Sequence, residues 1–549
     1  MASLEGPIRP GATQPMGPEV EDRDGPRDEC GVFGIFAPGH EVSRLSYFAL
    51  YALQHRGQES AGIAAADRGG HIITRRELGL VNQVFSENDL STLAGELAIG
   101  HVRYSTTGSN AWENSQPVQR SVGTRGSQRE VALAHNGNLI NAVELHNELL
   151  AQGVTFSSTS DSEIIAALIA THPAERVEDA IAEVLPRLKG AFSTVVMTKD
   201  RVVAFRDPHG LRPLALGALP PSEPTHPGEP AGVTPMPPAD TPTPPAGDPD
   251  GRVSEGTDRP EDRTVRYCVA SESCAFDIIG AKYLRDVQPG EVVTLSEEGC
   301  SSKQVVQGAR KAFCVFEYIY FARPDSRMND QVLQVARGRM GELLWREAPV
   351  EADLVIAVPD SGNPAARGLA RAAGLPQDDG FVKNRYVART FIQPGQELRK
   401  HGLRLKFNPL PEVIAGKRLV VVDDSIVRGN TTRQIVQMLR DSGAAEVHMR
   451  ISAPPIKHPC HYGIDMSTRE EMIAHNRTTA EVAAELGCDS LHYLSLAGVY
   501  EAVRGTRATH CDACFTGEYP LAGSDGAAGK YSLEEDKVPT GPSLPLVRA

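Results

Sequence analysis

Leu419-Val420-Val421-Val422-Asp423-Asp424-Ser425-Ile426-Val427-Arg428-Gly429-Asn430-Thr431-Thr432 runs from four apolar residues into two acids and then a glycine–threonine loop. The β-branched start reads as a buried parallel strand. Ile435, Val436, Met438 and Leu439 follow at helical spacing. In an α/β fold, ligands settle at the carboxyl ends of parallel strands. There the loop N–H groups and the helix N-terminus favour a phosphate. The carboxylates of Asp423 and Asp424 can accept from sugar hydroxyls or hold Mg²⁺. The stretch therefore predicts a site for a phosphorylated sugar; a plain strand–turn–helix with a solvated Asp pair is the simpler alternative.

Outward from this stretch, strand and helix patterns alternate from Phe313 onward. Strand candidates lie at 354–358, 381–387, 419–422 and 446–451, and strands separated by helices predict a doubly wound parallel sheet. The first half reads differently. Cys30-Gly31-Val32-Phe33-Gly34-Ile35-Phe36 is strand-like and leads into a helix pattern at 44–55 and a tight loop, Gln54-His55-Arg56-Gly57-Gln58-Glu59-Ser60, that feeds another strand. Further strand patterns lie at 97–102, 131–135, 193–198 and 202–205, with helix patterns at 142–151, 161–170 and 177–185. Two strand groups with helices between them predict a layered α/β sandwich.

At 549 residues the chain has room for two or three domains. No 18-residue apolar run is present, and residues 1–29 lack the apolar core of a secretory signal. A cytoplasmic, reducing setting follows, in which the nine cysteines are read as catalytic or metal-binding rather than disulfide-bonded. The net charge of −14 sits almost wholly in three segments: −4 in residues 1–29, −7 in 220–262 and −2 in 516–549. Those segments lack periodicity, and 220–260 holds thirteen prolines and no aromatic residue. They are expected to be disordered: a leader, an overgrown hairpin loop between strand-like flanks, and a tail. The remainder is nearly neutral, which gives no support to nucleic-acid binding.

Four motifs of the first half carry chemistry when taken together. Cys30 opens the first strand after the leader. His101-Val102-Arg103-Tyr104-Ser105-Thr106-Thr107-Gly108 supplies an arginine whose fork suits a carboxylate. Ala134-His135-Asn136-Gly137-Asn138 and Ser160-Asp161-Ser162-Glu163 complete the set. Singly, each has an ordinary reading: a core cysteine, a surface arginine, a hairpin turn and a helix cap.

In this order the four motifs resemble the class II, N-terminal-nucleophile (Ntn) glutamine amidotransferases, whose fold is an αββα sandwich. The resemblance implies that the leader is removed after Glu29 and that the freed α-amine of Cys30 serves as base for its thiol. It further implies that Arg103 and Asp161 bind the α-carboxylate and α-amino group of glutamine. Asn136 and Gly137 would hold the tetrahedral oxyanion.

The stretch around Asp423 resembles the PRPP-binding motif of type I phosphoribosyltransferases. That resemblance implies PRPP contacts from Asp423, Asp424, Ser425, Arg428, Gly429, Thr431 and Thr432. Mg²⁺ would be held by Ser361, Asp423 and Asp424, with Val358-Pro359-Asp360-Ser361-Gly362 holding pyrophosphate. Lys383-Asn384-Arg385-Tyr386 and Arg389-Thr390-Phe391-Ile392-Gln393-Pro394 would begin a loop that closes over PRPP.

The two halves together resemble the family of glutamine-dependent enzymes that open de novo purine synthesis. Expected domains are a propeptide at 1–29, a glutaminase at 30–312 with its insert at about 219–262, a transferase at 313–515 and a tail at 516–549. Glutamine, PRPP and water would give 5-phosphoribosylamine, glutamate and pyrophosphate, with ammonia passing along a dry channel from Cys30 to Asp423. Cys314, Cys460, Cys511 and Cys514 match the ligand positions of the family's [4Fe–4S] branch, with Zn²⁺ in a Cys₄ site as the chemical competitor. Purine nucleotides are the expected feedback inhibitors, and a homodimer or homotetramer the expected assembly, with no nucleic acid or membrane partner. The rival readings are a class II amidotransferase with another acceptor domain, and a non-enzymatic PRPP-sensing regulator. The Asp423–Asp424 motif speaks against the first. The lack of a basic, DNA-binding element speaks against the second.

Overall fold

The computed structural model describes residues 29–66, 70–104, 109–123, 129–220, 266–384, 406–464, 466, 468–521 and 533. The expectations for the leader before Glu29, Ser105-Thr106-Thr107-Gly108, the insert over 221–265, the loop over 385–405 and most of the tail lie outside those residues.

The first half is two antiparallel sheets between two helix layers. One sheet has seven strands, in the order Lys282–Asp286, Ala215–Leu219, Arg266–Ala270, Gly31–Phe36, Leu97–Arg103, Ser60–Ala66 and Ile73–Leu78. The other has six: Gly299–Gln304, Glu291–Ser296, Val202–Arg206, Gly190–Met197, Arg129–Leu139 and Val118–Val122. Side chains alternate across a strand, and here both faces are covered. Phe33 and Ile35 enter the core beneath helix Val42–Ala52, while Val32 and Phe36 enter the core between the sheets. On the second sheet, Val131 and Leu133 face the helices Ala142–Ala151, Asp161–Ala170 and Val177–Val184, and Ala132 and Ala134 face the first sheet. At Gly34 the second sheet's side chains pack against the first sheet's backbone. A Cβ there would stand 2.6 Å from Val195. Strands 215–219 and 266–270 pair directly, with Leu219 opposite Arg266, so residues 221–265 join two neighbouring strands of one sheet.

The second half is built on four parallel strands in the order Leu354–Ala357, Arg418–Asp423, Glu446–Ile451 and Ser490–Tyr493. On its free side, Leu354–Ala357 carries one parallel bridge, Val355 to Gln377. The chain therefore leaves this strand on one side through helix Asn363–Ala373 and returns on the other at Arg418–Asp423. Right-handed crossovers in opposite directions place helices on both faces. The switch point falls between the ends of Leu354–Ala357 and Arg418–Asp423, the favoured place for a ligand. The expected strand at 381–387 is not part of this sheet. Phe381–Lys383 pairs antiparallel with Phe407–Pro409 in a separate hairpin, held by Phe381 against Phe407. The expectation missed Ser490–Tyr493, whose Ser-Leu-His-Tyr sequence carries little apolar signal. Among the described residues, no helix is long and apolar enough to cross a membrane.

Candidate active site

In the first half, antiparallel pairing brings Gly31 opposite Val102 and so sets Cys30 beside Arg103 and Tyr104. The Cys30 thiol donates to the Tyr104 carbonyl at 3.2 Å. It is buried, and burial pushes it up to about 11, against the opposing influence of Arg103. Arg103, Glu59 and Asp161 are the charged side chains whose fields reach it. Arg103 ends its strand buried, with Nη2 donating to the Ser109 carbonyl at 3.2 Å and Nη1 3.8 Å from Glu59. The loop carrying Glu59 lies so close to this strand that Gly57 is required. A Cβ on Gly57 would meet the Arg103 backbone at 2.7 Å.

Asn136 and Gly137 lie on Arg129–Leu139 of the second sheet. The sheets are tied here by His101 Nε2–H donating to the His135 carbonyl at 3.0 Å. Burial pushes His101 down to about 3, so it is neutral and structural. Asp161 opens its helix behind the Ser160 cap and accepts from the Leu139 N–H at 3.0 Å, which fixes the helix to the Asn136 strand. The Asn136 side-chain Nδ2 is buried and has no hydrogen-bond partner among the described residues. Gly137 has φ +147°, and a Cβ on it would overlap the Ala191 carbonyl oxygen at 1.9 Å, so only glycine fits.

An ionic network that sequence reasoning missed lies behind Cys30. Arg56 Nε donates to the Cys30 carbonyl at 3.1 Å. Its two Nη atoms hold Glu29 at 2.8 Å, Glu272 at 2.6 Å and Glu317 at 2.7 Å, all fully buried. Arg212 binds the second Glu29 oxygen and the Tyr462 carbonyl. The residue just before Cys30 is therefore clamped between two arginines. The clue available in sequence was Arg56 inside a glycine-bearing loop, but its partners are spread from residue 29 to residue 317.

The second half forms an open cavity at the switch point between the two strand ends. Ser361, Asp423, Asp424, Ser425, Thr431 and Thr432 line it, with Tyr320, Lys406 and Phe407, which the sequence reading did not single out. Burial and the neighbouring Asp424 push the Asp423 carboxyl up, and burial also raises Asp424, which accepts from Ser361 and Ser425. Gly429, at φ +84°, precedes helix Asn430–Asp441 and aims its N-terminus at the cavity. Arg428 and Lys383 lie outside this lining. Arg428 pairs with Glu471 at 3.0 Å and Lys383 with Asp360 of the Val358–Gly362 segment.

Cys314, Cys460, Cys511 and Cys514 line a separate, small cavity with Leu211, Arg212 and Tyr462. Burial raises the thiols of Cys314, Cys511 and Cys514, and each also faces the charge another cysteine would carry. Among the described residues, no three His, Cys, Asp or Glu groups are gathered tightly enough for a single ion. Cys268, Cys274, Cys300 and Cys488 lie elsewhere, and all nine cysteines are free.

Residues 101–222 match a family model described as a glutamine amidotransferase domain, and residues 329–463 one described as a phosphoribosyl transferase domain. The amidophosphoribosyltransferase of Synechococcus elongatus is 46% identical over 507 residues, spanning 92% of this chain and 93% of its own. A solved structure of an allosteric regulatory enzyme of purine biosynthesis is 41% identical with a TM-score of 0.79, covering 92% of this chain and 99% of its own. Glutamine PRPP amidotransferase from Bacillus subtilis, solved in complex with ADP and GMP, is 42% identical with a TM-score of 0.76, covering 89% and 97%.

Proposed function

The chain belongs to the amidophosphoribosyltransferase family, the enzymes of the first step of purine biosynthesis, and on that premise we propose how its own residues divide the work. The leader is removed after Glu29, which frees the Cys30 α-amine. The thiol as it stands, buried and raised to about 11, is protonated at neutral pH and needs that amine as a base. Arg103 and Asp161 orient glutamine by its α-carboxylate and α-amino group. Cys30 Sγ attacks the side-chain amide carbon, and Asn136 Nδ2 with the Gly137 N–H stabilises the oxyanion. Ammonia leaves, and water hydrolyses the thioester to glutamate.

Ammonia then passes, excluded from bulk water, to the Asp423–Asp424 cavity, where it attacks the ribose C1 of PRPP and pyrophosphate departs. The phosphate sits on the Thr431–Thr432 turn, and Lys406 adds charge at the same wall. Arg428 and Lys383, with Asp360, Gly429 and Ser425, complete the PRPP contacts when the loop closes. The buried Asp423–Asp424 pair, with Ser361 beside it, fits Mg²⁺, because a cation there removes the cost of two adjacent buried carboxylates. Bound Mg²⁺ supplies charge neutralisation of the pyrophosphate leaving group.

The four cysteines fit a [4Fe–4S] cluster. The donors are soft sulfurs in an apolar wall, and their raised thiols would be deprotonated on a cationic core. Zn²⁺ in a Cys₄ site is the chemical competitor. The cluster's role is to pin the C-terminal segment to the fold. Purine nucleotides of the ADP and GMP kind are the regulators, and the working form is a homo-oligomer in the cytoplasm. The domain limits are 1–29, 30–312, 313–515 and 516–549.

The observation that carries this reading is the buried Asn136 Nδ2, without a hydrogen-bond partner among the described residues, on a strand tied to Asp161, whose charge reaches the Cys30 thiol, in one chain with the acid-lined cavity. Intact-mass analysis of anaerobically purified protein, with iron counted, tests it. The account expects an N-terminus at Cys30 and about four iron atoms per chain. A retained leader, or zinc in place of iron, would refute the corresponding part.

A further inference from the structure

One buried carboxamide joins two parts of the first half that meet around Cys30. Asn114 ends the short 3₁₀ turn Trp112–Asn114 and is only 1% exposed. The whole bonding capacity of its amide is used. Nδ2 donates to the Ser109 carbonyl at 2.9 Å and to Thr159 Oγ1 at 3.0 Å. Oδ1 accepts from the Thr159 N–H at 2.9 Å and from the Thr159 hydroxyl at 3.3 Å. The Ser109 carbonyl also accepts from Arg103 Nη2, at 3.2 Å. Thr159 directly precedes the Ser160 cap of helix Asp161–Ala170, on which Asp161 is the first residue. Asn114 therefore ties the segment that holds Arg103 to the segment that opens on Asp161.

The turn has other anchors on both sides of Asn114. The Arg76 guanidinium lies over the Trp112 ring, 5.0 Å from its centroid, and donates to the Pro117 carbonyl at 3.3 Å. Gln116 Oε1 accepts from the His135 N–H at 2.7 Å. Loss of the Asn114 amide leaves these anchors in place and releases the tie between Arg103 and Asp161.

We propose that Asn114 is a positioning residue that fixes the spacing of Arg103 and Asp161, and so gives the thiol site its selectivity for an amide that carries both an α-carboxylate and an α-amino group. This rests on the reading of Arg103 and Asp161 as the glutamine-binding pair. The substrate's carboxylate and ammonium sit on one carbon, so the two protein charges can engage both only when their separation is held, and a pair held in advance costs less to order on binding. The bond that breaks lies at the other end of the substrate, against Asn136 and Gly137. The tie therefore acts on binding more than on the chemical step.

The test uses mature, full-length enzyme with saturating PRPP and Mg²⁺, and compares glutamine with glutaramate, the same amide without the α-amino group. Asn114→Asp is nearly isosteric, removes both donors and sets a carboxylate against the Ser109 carbonyl. In it KM for glutamine rises about tenfold or more, while kcat stays within about threefold. The preference for glutamine over glutaramate in kcat/KM shrinks by about fivefold or more. Thr159→Ser keeps the N–H and the hydroxyl and behaves as the unaltered protein. Asn114→Ala gives the same pattern as Asn114→Asp and decides the matter alone if that variant does not fold. A KM within about twofold of the unaltered value in a folded variant, or an unchanged preference beside a fallen kcat, overturns the proposal and leaves the glutamine-binding pair as assigned. An unaltered protein that does not distinguish glutamine from glutaramate overturns that assignment as well.

Discussion

Gly463, from the transferase half, lies against Gly137, from the glutaminase half: a Cβ on Gly463 would stand 3.0 Å from the Gly137 carbonyl carbon and 2.8 Å from Arg212. One residue away the halves are also joined by Asn138 Nδ2 donating to the His461 carbonyl at 3.1 Å. The segment that contributes Cys460 to the cysteine cavity thus also backs the strand that carries Asn136 and Gly137.

Gly463→Ala forces a side chain into that contact at φ +97°, a strain of about 1–3 kcal/mol. Glutamine-dependent activity should fall about tenfold or more through a displaced Gly137. Activity with ammonia in place of glutamine should stay within about twofold. Steady-state assays with the two nitrogen donors check this, and equal losses would contradict it.

Asn136→Ala separates chemistry from stability. Its Nδ2 makes no hydrogen bond among the described residues, so little native bonding is lost from that atom. The expected fall in kcat with glutamine is about 10²–10³-fold, with the thermal midpoint moved by no more than about 2–4 °C. Glutaminase assays and calorimetry report the two quantities separately.

Asp423 and Asp424 have folded-state pKa values raised above the ordinary carboxylate range. The folded state therefore holds protons that the unfolded state has released, so this pair costs stability as pH rises from about 4 through the raised values. Asp423→Asn should raise the thermal midpoint of the Mg²⁺-free protein at pH 7 by about 2–4 °C and abolish transferase activity. Mg²⁺ should stabilise the unaltered protein more than this variant. A variant less stable than its parent without Mg²⁺ would contradict the account.

Much of this was legible in the sequence. Helix Asp161–Ala170 follows directly from a Ser160 cap and an unbroken apolar run, and the acid pair is announced by Leu419-Val420-Val421-Val422 before it. Two things were not. The edge of the parallel sheet is one bridge at Gln377, a polar residue with no period-two pattern around it, whereas the expected strand was the more apolar stretch 381–387. The clamp of Arg56 and Arg212 on Glu29, Glu272 and Glu317 joins residues remote in sequence. Periodicity reports only local neighbours, so it carries no signal for such a cluster. Lys406 and Tyr320 reach the Asp423–Asp424 cavity for the same reason without a motif of their own.

The Cys30 thiol supplies a pH test on protein that retains its leader. Burial holds it up to about 11, so its alkylation by iodoacetamide, followed by peptide mapping, should still be rising about tenfold per pH unit at pH 9. A plateau below pH 9 in the leader-bearing form would show that burial does not govern this thiol.

The central claim is that one chain hydrolyses glutamine at Cys30 and delivers the ammonia to the Asp423–Asp424 cavity. Glutamate and pyrophosphate are to be counted together in a single reaction of mature enzyme with glutamine, PRPP and Mg²⁺ at a pH where free ammonia is scarce. The account predicts equal molar amounts, with both products lost in Cys30→Ala and pyrophosphate alone restored by added ammonium chloride. Glutamate accumulating without matching pyrophosphate, or pyrophosphate formed at full rate from glutamine by Cys30→Ala, would contradict it.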